Sequence, residues 1–174
     1  MKLLVAYASK HGATAEIAAA IAEAVSADGI DVRLLPAADV HTVAEYDAVI
    51  LGSAVYIGHW LDPARELAIR EAGALRERDV WIFSSGPIGD PPRPAEHAVD
   101  VSEITDLVQP REHQLFGGKI DREHLGFVER ALVIALRVAD GDSRDWDEIR
   151  RWAEAIRAHL LSNVPIGEVQ RPAH

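Results

Sequence analysis

The chain opens on Leu3-Leu4-Val5-Ala6-Tyr7-Ala8, an unbroken apolar run, followed by Ser9-Lys10-His11-Gly12-Ala13-Thr14 and then an Ala-rich stretch. That succession leaves few folds open. A short continuous apolar run rich in β-formers reads as a strand buried on both faces, the kind found in parallel sheets. Ile17, Ile21 and Val25 then recur at helical spacing, with Ala filling the positions between. The turn joining strand to helix gathers backbone N–H groups and the positive end of the helix dipole around one point. That is the local chemistry of a phosphate site. Ser9 and Thr14 add hydroxyl donors, and Gly12 lets the backbone approach closely. The dinucleotide fingerprint G-x-G-x-x-G is absent. Lys10 precedes the glycine instead of following it, which excludes a Walker loop. The plainer reading of the same turn is an ordinary strand-to-helix connection capped by Thr14.

The alternation continues along the chain. Thr14 to about Ala27 is predicted helical and ended by Gly29. Ile30 to Leu35 is a second strand stopped by Pro36, and Tyr46 to Leu51 a short third one. Leu61 to about Ala72 reads as a helix with Asp62 as N-cap and Pro63 at its first position. Asp79 to Ser85 is a fourth strand, whose Val80, Trp81, Ile82 and Phe83 suit a central place. Residues 90–98 are Pro-rich, Val101 to Val108 makes at best a short helix, and His113 to Phe116 is a fifth strand closed by Gly117-Gly118. Asp121 to Val138 carries a helical pattern, and Asp140-Gly141-Asp142 reads as a turn. Asp145 then opens a last helix with Glu148 as its capping-box partner. Trp146, Ile149, Trp152, Ala153, Ile156 and Leu160 form its buried stripe. Alternating β and α units imply an α/β fold, a parallel sheet with helices on both faces. A single domain is expected over residues 1–164, with 165–174 a frayed tail.

Two later segments also follow apolar strands. They are Gly52-Ser53-Ala54-Val55-Tyr56-Ile57-Gly58-His59 and Ser84-Ser85-Gly86-Pro87. With the first turn, these loops resemble the flavodoxins, whose phosphate loop usually reads Thr/Ser-x-Thr-Gly-x-Thr. Ser9, Gly12 and Thr14 match that pattern, while His11 stands where the family usually has a hydroxyl. The segment from Tyr46 to Ser53, the Tyr56-x-Gly58-His59 pattern and the extra helical segment before the last helix look like one subgroup. It is the flavodoxin-domain family that includes menaquinone-dependent protoporphyrinogen dehydrogenase. The resemblance covers almost the whole chain and is weakest between Asp90 and Pro110. It implies a flavodoxin-like three-layer sandwich, with a five-stranded parallel sheet in the order 2-1-3-4-5 and an extra helix before the last. That order sets strands 1, 3 and 4 side by side, so all three loops meet beside the topological switch point.

The cofactor implied is FMN. Ser9, Lys10, His11, Gly12, Ala13 and Thr14 would hold its 5′-phosphate. Ser53, Ala54, Val55, Tyr56, Ile57 and Gly58 would lie along the flavin ring, and Ser85, Gly86 and Pro87 would close its other side. Tyr56 is the first candidate to stack on the ring and Trp60 its rival; both can equally be half-buried loop anchors. No residue is singled out as catalytic, and the His residues show no H-x-H or H-E-x-x-H spacing, so no metal site is expected. No Gly-x-Ser-x-Gly elbow supports a hydrolase.

Composition narrows the partners. The formal charge of −10 argues against nucleic acid, whose phosphates need a basic surface, and suits a redox protein whose partner presents a basic face. The chain has no Cys, which removes disulfides, thiolate catalysis and Fe–S clusters. The first strand is too short for a signal peptide or a membrane span, so a cytoplasmic protein is expected. The apolar helix predicted over 121–138 either packs on the sheet or makes a peripheral membrane or partner contact. The resemblance implies an FMN-dependent oxidoreductase, with porphyrinogen as the first substrate to test and a quinone or another acceptor. The alternatives are a flavodoxin-type single-electron carrier serving a redox partner protein, and a flavodoxin fold that has lost FMN.

Overall fold

A computed structural model of the chain describes residues 1–56, 58–86, 101–120 and 141–162. Strand β1 (Lys2–Ala8) sends Leu3 and Val5 to one face and Leu4 and Ala6 to the other, and all four are fully buried. An apolar run without alternation is what a strand needs when both faces are covered. β1 lies between β2 (Asp31–Pro36) and β3 (Ala48–Tyr56), both parallel to it. A two-residue strand β4 (His59–Trp60) turns back antiparallel on the end of β3. β5 (Asp79–Gly86) pairs in parallel with β3, and β6 (Glu112–Gly117) with β5. The sheet order is β2-β1-β3-β5-β6, the expected 2-1-3-4-5 arrangement with the numbering displaced by the short β4.

Helices cover both faces. α1 (Ala13–Val25) packs its Ile17, Ile21 and Val25 stripe on Leu3, Val5 and Ile50. α2 (Asp62–Arg70), α3 (Ala72–Arg76) and α4 (Ser102–Val108) lie on the opposite face, where Leu67, Leu75, Ile104 and Val108 meet Leu4, Leu51, Val80 and Ile82. Beyond β6, β7 (Lys119–Ile120) pairs antiparallel with β8 (Gly141–Asp142). α5 (Trp146–Ser162) then returns to the α1 face, burying Ile149, Trp152, Ala153, Ile156 and Leu160 as its spacing predicts. Each fully buried Ile or Leu of these stripes contributes about 1.5–3 kcal/mol relative to exposure.

The differences from the sequence reading have local causes. The first helix stops at Val25, and Gly29 (φ +90°) belongs to the tight turn between Ala27 and Ile30. The third strand is longer than Tyr46–Leu51. It starts at Ala48 and runs to Tyr56, because pairing with β5 carries it to Ala54 and the antiparallel return of β4 holds Val55 and Tyr56. Leu61, not Asp62, is the N-cap of α2; Asp62 sits in the first turn, 3.8 Å from Arg65. Gly141-Asp142 is a strand, not a turn. Asp145 does cap α5, accepting the N–H groups of Asp147 and Glu148 at 3.0 Å, but Glu148 reaches across to β6 to accept from Gln114 Nε2 at 3.0 Å. The capping box is therefore half made. The Pro-rich stretch 90–98, the helix expected over 121–138 and the tail 165–174 lie outside the described residues.

Candidate functional site

Register brings the three loops together. Ala8 pairs with Ser53, Ser53 with Ser84, and Ala54 with Ser85, so the strands β1, β3 and β5 end side by side. The chain leaves β1 toward β2 on one side and β3 lies on the other, which places a crevice at their C-terminal ends.

The β1–α1 turn forms the floor of that crevice. Gly12 takes φ +87°, a left-handed conformation that residues with a Cβ resist, and nothing lies within 4 Å of where its Cβ would be. Its N–H donates to Ser9 Oγ at 3.1 Å, closing the turn. Gly12 is also the N-cap of α1, and no side chain caps the helix. Thr14, the capping residue of the plainer reading, does not cap; it is buried at the start of the helix. The amides of the first turn have no acceptor within an α-helix. An uncapped N-terminus behind an open glycine turn is a donor set that fits a phosphate. Lys10 and His11 stand exposed beside it.

The second loop forms a wall. Tyr56 is half-buried at the end of β3, with Lys10 Nζ 5.0 Å from its ring centroid and the His11 ring 6.4 Å away, tilted by 47°. The aromatic face and the β1–α1 turn therefore share one space. Gly58 (φ +81°) makes the reversal into β4. Ala54 and Val55 are half-buried, while Ile57 lies outside the described residues. Ser53 is used internally: its Oγ donates to the Ala54 carbonyl at 2.8 Å and accepts the Leu61 N–H at 3.0 Å. Trp60 is not an open stacking surface. It is 3% exposed, packed in the core, and its indole N–H donates to Ser84 Oγ at 2.8 Å.

The third loop begins at Ser85, which is buried, and Gly86. A Cβ at Gly86 would lie 3.1 Å from Val55 Cβ, so this glycine keeps β5 close to β3 whatever else it contacts. Pro87 lies outside the described residues. Gly118 comes equally close to Gly86: its Cβ would be 3.0 Å from the Gly86 carbonyl carbon. The end of β6 and the base of the β7–β8 ladder thus border the same crevice.

Beneath the loops runs a polar chain that the sequence did not reveal, Trp60–Ser84–His113. Ser84 Oγ, fully buried, accepts from the indole and bonds His113 Nε2 at 2.8 Å. Since the indole can only donate, the Ser84 hydroxyl proton is free to go to His113 Nε2, which suits a neutral imidazole. Burial pushes the His113 pKa below its ordinary 6.5. The unfolded chain then binds the proton more readily than the folded one, so stability rises with pH. The contribution is full above about pH 6.5 and is lost as pH falls through the lowered native value. Urea unfolding across pH 4.5–7.5 checks this: His113→Gln should flatten the acid slope, and an unchanged slope would remove His113 as its source.

A second cleft lies at the opposite ends of the strands, lined by Asp47, Arg76, Arg78, Asp79 and Arg111 among others. Its arginines hold the scaffold. Arg78 donates to the Tyr46, Ala74 and Ala44 carbonyls, Arg76 to those of Leu107 and Asp106, and Arg111 pairs with Asp79 at 2.6 Å. Among the described residues no group of His, Asp or Glu is placed to hold a metal ion, and no helix is long and apolar enough to cross a membrane.

The Flavodoxin domain profile matches residues 4–147. No match was found among curated proteins. Among solved structures, the chain is similar to a flavodoxin from the domain Archaea, with TM-score 0.60, 18% identity, and 92% of this chain and 99% of that one covered. It is also similar to oxidised flavodoxin 1 from Bacillus cereus, with TM-score 0.60, 15% identity, and 95% and 100% covered. Rubredoxin oxygen:oxidoreductase from Desulfovibrio gigas matches with TM-score 0.62 and 15% identity over 92% of this chain, but the match spans only 36% of that larger protein. At such identities the structural likenesses speak for the fold. The profile, which runs from the first strand into the start of the last helix, speaks for descent: the chain belongs to the flavodoxin domain family.

Proposed function

We propose that the chain is an FMN-dependent oxidoreductase, with its cofactor phosphate on residues 9–14 and its flavin ring between the Ser53–Gly58 and Ser85–Pro87 loops. FMN is the cofactor of the family, and when bound it supplies one- and two-electron redox chemistry. The observation that carries the reading is the uncapped, glycine-opened N-terminus of α1 next to the half-buried face of Tyr56. Ser9, Gly12, Thr14 and the first-turn amides would hold the phosphate, with Lys10 and His11 adding charge or further donors. Tyr56 would stack on the ring, and the backbone from Ser85 to Pro87 would meet its polar edge. The buried Trp60–Ser84–His113 chain would keep the β3–β4 reversal at a fixed height under the ring.

In the enzyme reading, the β7–β8 ladder would supply a further wall for a substrate. It adds structure at the site end of the sheet, beyond what the doubly wound sheet needs. The finer activity proposed is oxidation of an organic substrate with transfer of electrons to a quinone or another acceptor, porphyrinogen being the first substrate to test. Any membrane contact is peripheral in this reading. The carrier reading has its own support, since the chain matches small flavodoxins over their whole length. Anaerobic reductive titration together with steady-state turnover on a porphyrinogen and a quinone separates the two. Rapid turnover with single-step two-electron reduction supports the enzyme. Two resolved one-electron steps and no turnover would establish the carrier instead.

Tyr56→Ala is expected to weaken FMN binding by about 1–3 kcal/mol, the range of aromatic stacking platforms for other planar rings, and to shift the flavin potential. A fluorescence titration checks the first and a spectroelectrochemical one the second. If neither moves, Tyr56 is not the stacking surface.

A further inference from the structure

Among the described residues that form ion pairs, Arg144 stands out because its side chain is only 3% exposed. No periodicity or motif marks it in the sequence. Its Nε donates to Asp142 Oδ1 at 2.7 Å and its Nη2 to Asp142 Oδ2 at 2.6 Å, a two-pronged pairing at the base of the β7–β8 ladder. Its Nη1 reaches across to α1, donating to Glu16 Oε2 at 2.7 Å and lying 3.4 Å from the Ala13 carbonyl oxygen. The guanidinium also sits 4.5 Å from the centroid of the Trp146 ring. Ser143, one residue before, is fixed as well: its N–H and Oγ both donate to the Gly118 carbonyl, at 3.0 and 2.8 Å.

A cation buried next to the positive end of a helix is unfavourable by itself. Here two carboxylates compensate it, and one of them, Glu16, belongs to the first turns of α1. Ala13 and Glu16 flank Thr14 and the amides proposed to meet a phosphate. The planar guanidinium satisfies two elements at once, in a fixed geometry that a lysine does not reproduce. We propose that Arg144 is a positioning residue for phosphate binding: it clamps the first turn of α1 to the β8–α5 connection, so that the anion-binding amides are held in place before the ligand arrives. This rests on the flavin reading above.

The test compares FMN with riboflavin, which lacks the phosphate, on the full chain. Arg144→Met should raise the FMN dissociation constant at least tenfold and leave that of riboflavin unchanged. It should also speed amide hydrogen exchange at residues 13–16 in flavin-free protein. Arg144→Lys should fall between the two. Glu16→Ala removes a side chain that is 58% exposed and leaves Arg144 its Asp142 partner. Read on protein shown to be folded by circular dichroism, it gives the sharper sign. If the pair acted only through charge, losing a carboxylate near the phosphate would tighten FMN. If it positions the turn, FMN weakens. Unchanged FMN affinity in Arg144→Met, equal losses for FMN and riboflavin, or tighter FMN in Glu16→Ala would each overturn the proposal. Wild-type protein that fails to bind FMN would overturn the flavin reading instead, and the exchange measurement, which needs no flavin, would still judge the clamp.

Discussion

Gly52→Ala is expected to destabilise the protein by about 3 kcal/mol or more, at the upper end of overpacking effects in a filled core. A Cβ at Gly52 would lie 2.0 Å from Phe83 Cζ, and two further ring atoms are within 2.4 Å. Phe83 is fully buried and cannot swing aside. Its ring is 6.0 Å from that of Phe116 and 6.2 Å from that of Trp152, both packed on the same face. The added methyl must therefore push β3 away from the α5 layer, at the base of the β3 loop. Gly73→Ala is the control. Gly73 lies within α3 with nothing within 4 Å of a Cβ, so alanine there should be neutral or stabilising by up to about 1 kcal/mol. Urea denaturation of both variants reads the difference. A Gly52→Ala protein as stable as wild type would mean that Phe83 does not pack over this glycine.

Thr14→Asp is expected to remove most FMN affinity. The side chain lies at the second residue of α1, beside the turn proposed to hold the phosphate. A carboxylate about 5 Å from a phosphate repels it by about 3 kcal/mol per unit of phosphate charge at an effective dielectric near 20. That predicts a loss of about a hundredfold or more. Thr14 is buried, so the carboxylate also carries a desolvation cost that the helix dipole only partly offsets, and circular dichroism selects the conditions in which the variant is folded before affinity is read. Thr14→Val removes the hydroxyl without adding charge and should cost about 1 kcal/mol, the usual value of one hydrogen bond. Isothermal titration with FMN separates the two variants, and equal affinities would place the phosphate elsewhere.

The sheet was legible because its strands are buried on both faces. Leu3 to Ala8 and Val80 to Phe83 have nowhere to go but the middle of a covered sheet, and order and partners follow from the crossovers. The stripes of α1 and α5 were legible for the matching reason, a 3.6-residue period facing that sheet. What escaped depends on contacts between residues far apart in sequence. Trp60 looks like a loop aromatic until Ser84, 24 residues later, is seen to accept a hydrogen bond from its indole N–H in the core. Nor does the sequence show that the Ser53 Oγ, while donating to the Ala54 carbonyl, also accepts the N–H of Leu61, eight residues later. Arg144 reaches Glu16 across 128 residues, a distance over which no local pattern carries information. Boundary errors have a similar origin. β3 runs on to Ala54 because β5 pairs with it and to Tyr56 because β4 folds back on its end, and α2 is capped by Leu61 because the chain arrives from β4 already extended.

The most direct measurement is an equilibrium titration of purified, flavin-free protein with FMN and with riboflavin, followed by flavin absorbance and fluorescence. The predicted result is saturable one-to-one binding of FMN with a shifted absorbance band, at least tenfold tighter than riboflavin, and lost in Thr14→Asp. Binding of neither flavin by folded wild-type protein, or equal affinity for both, would contradict a phosphate site on the β1–α1 turn.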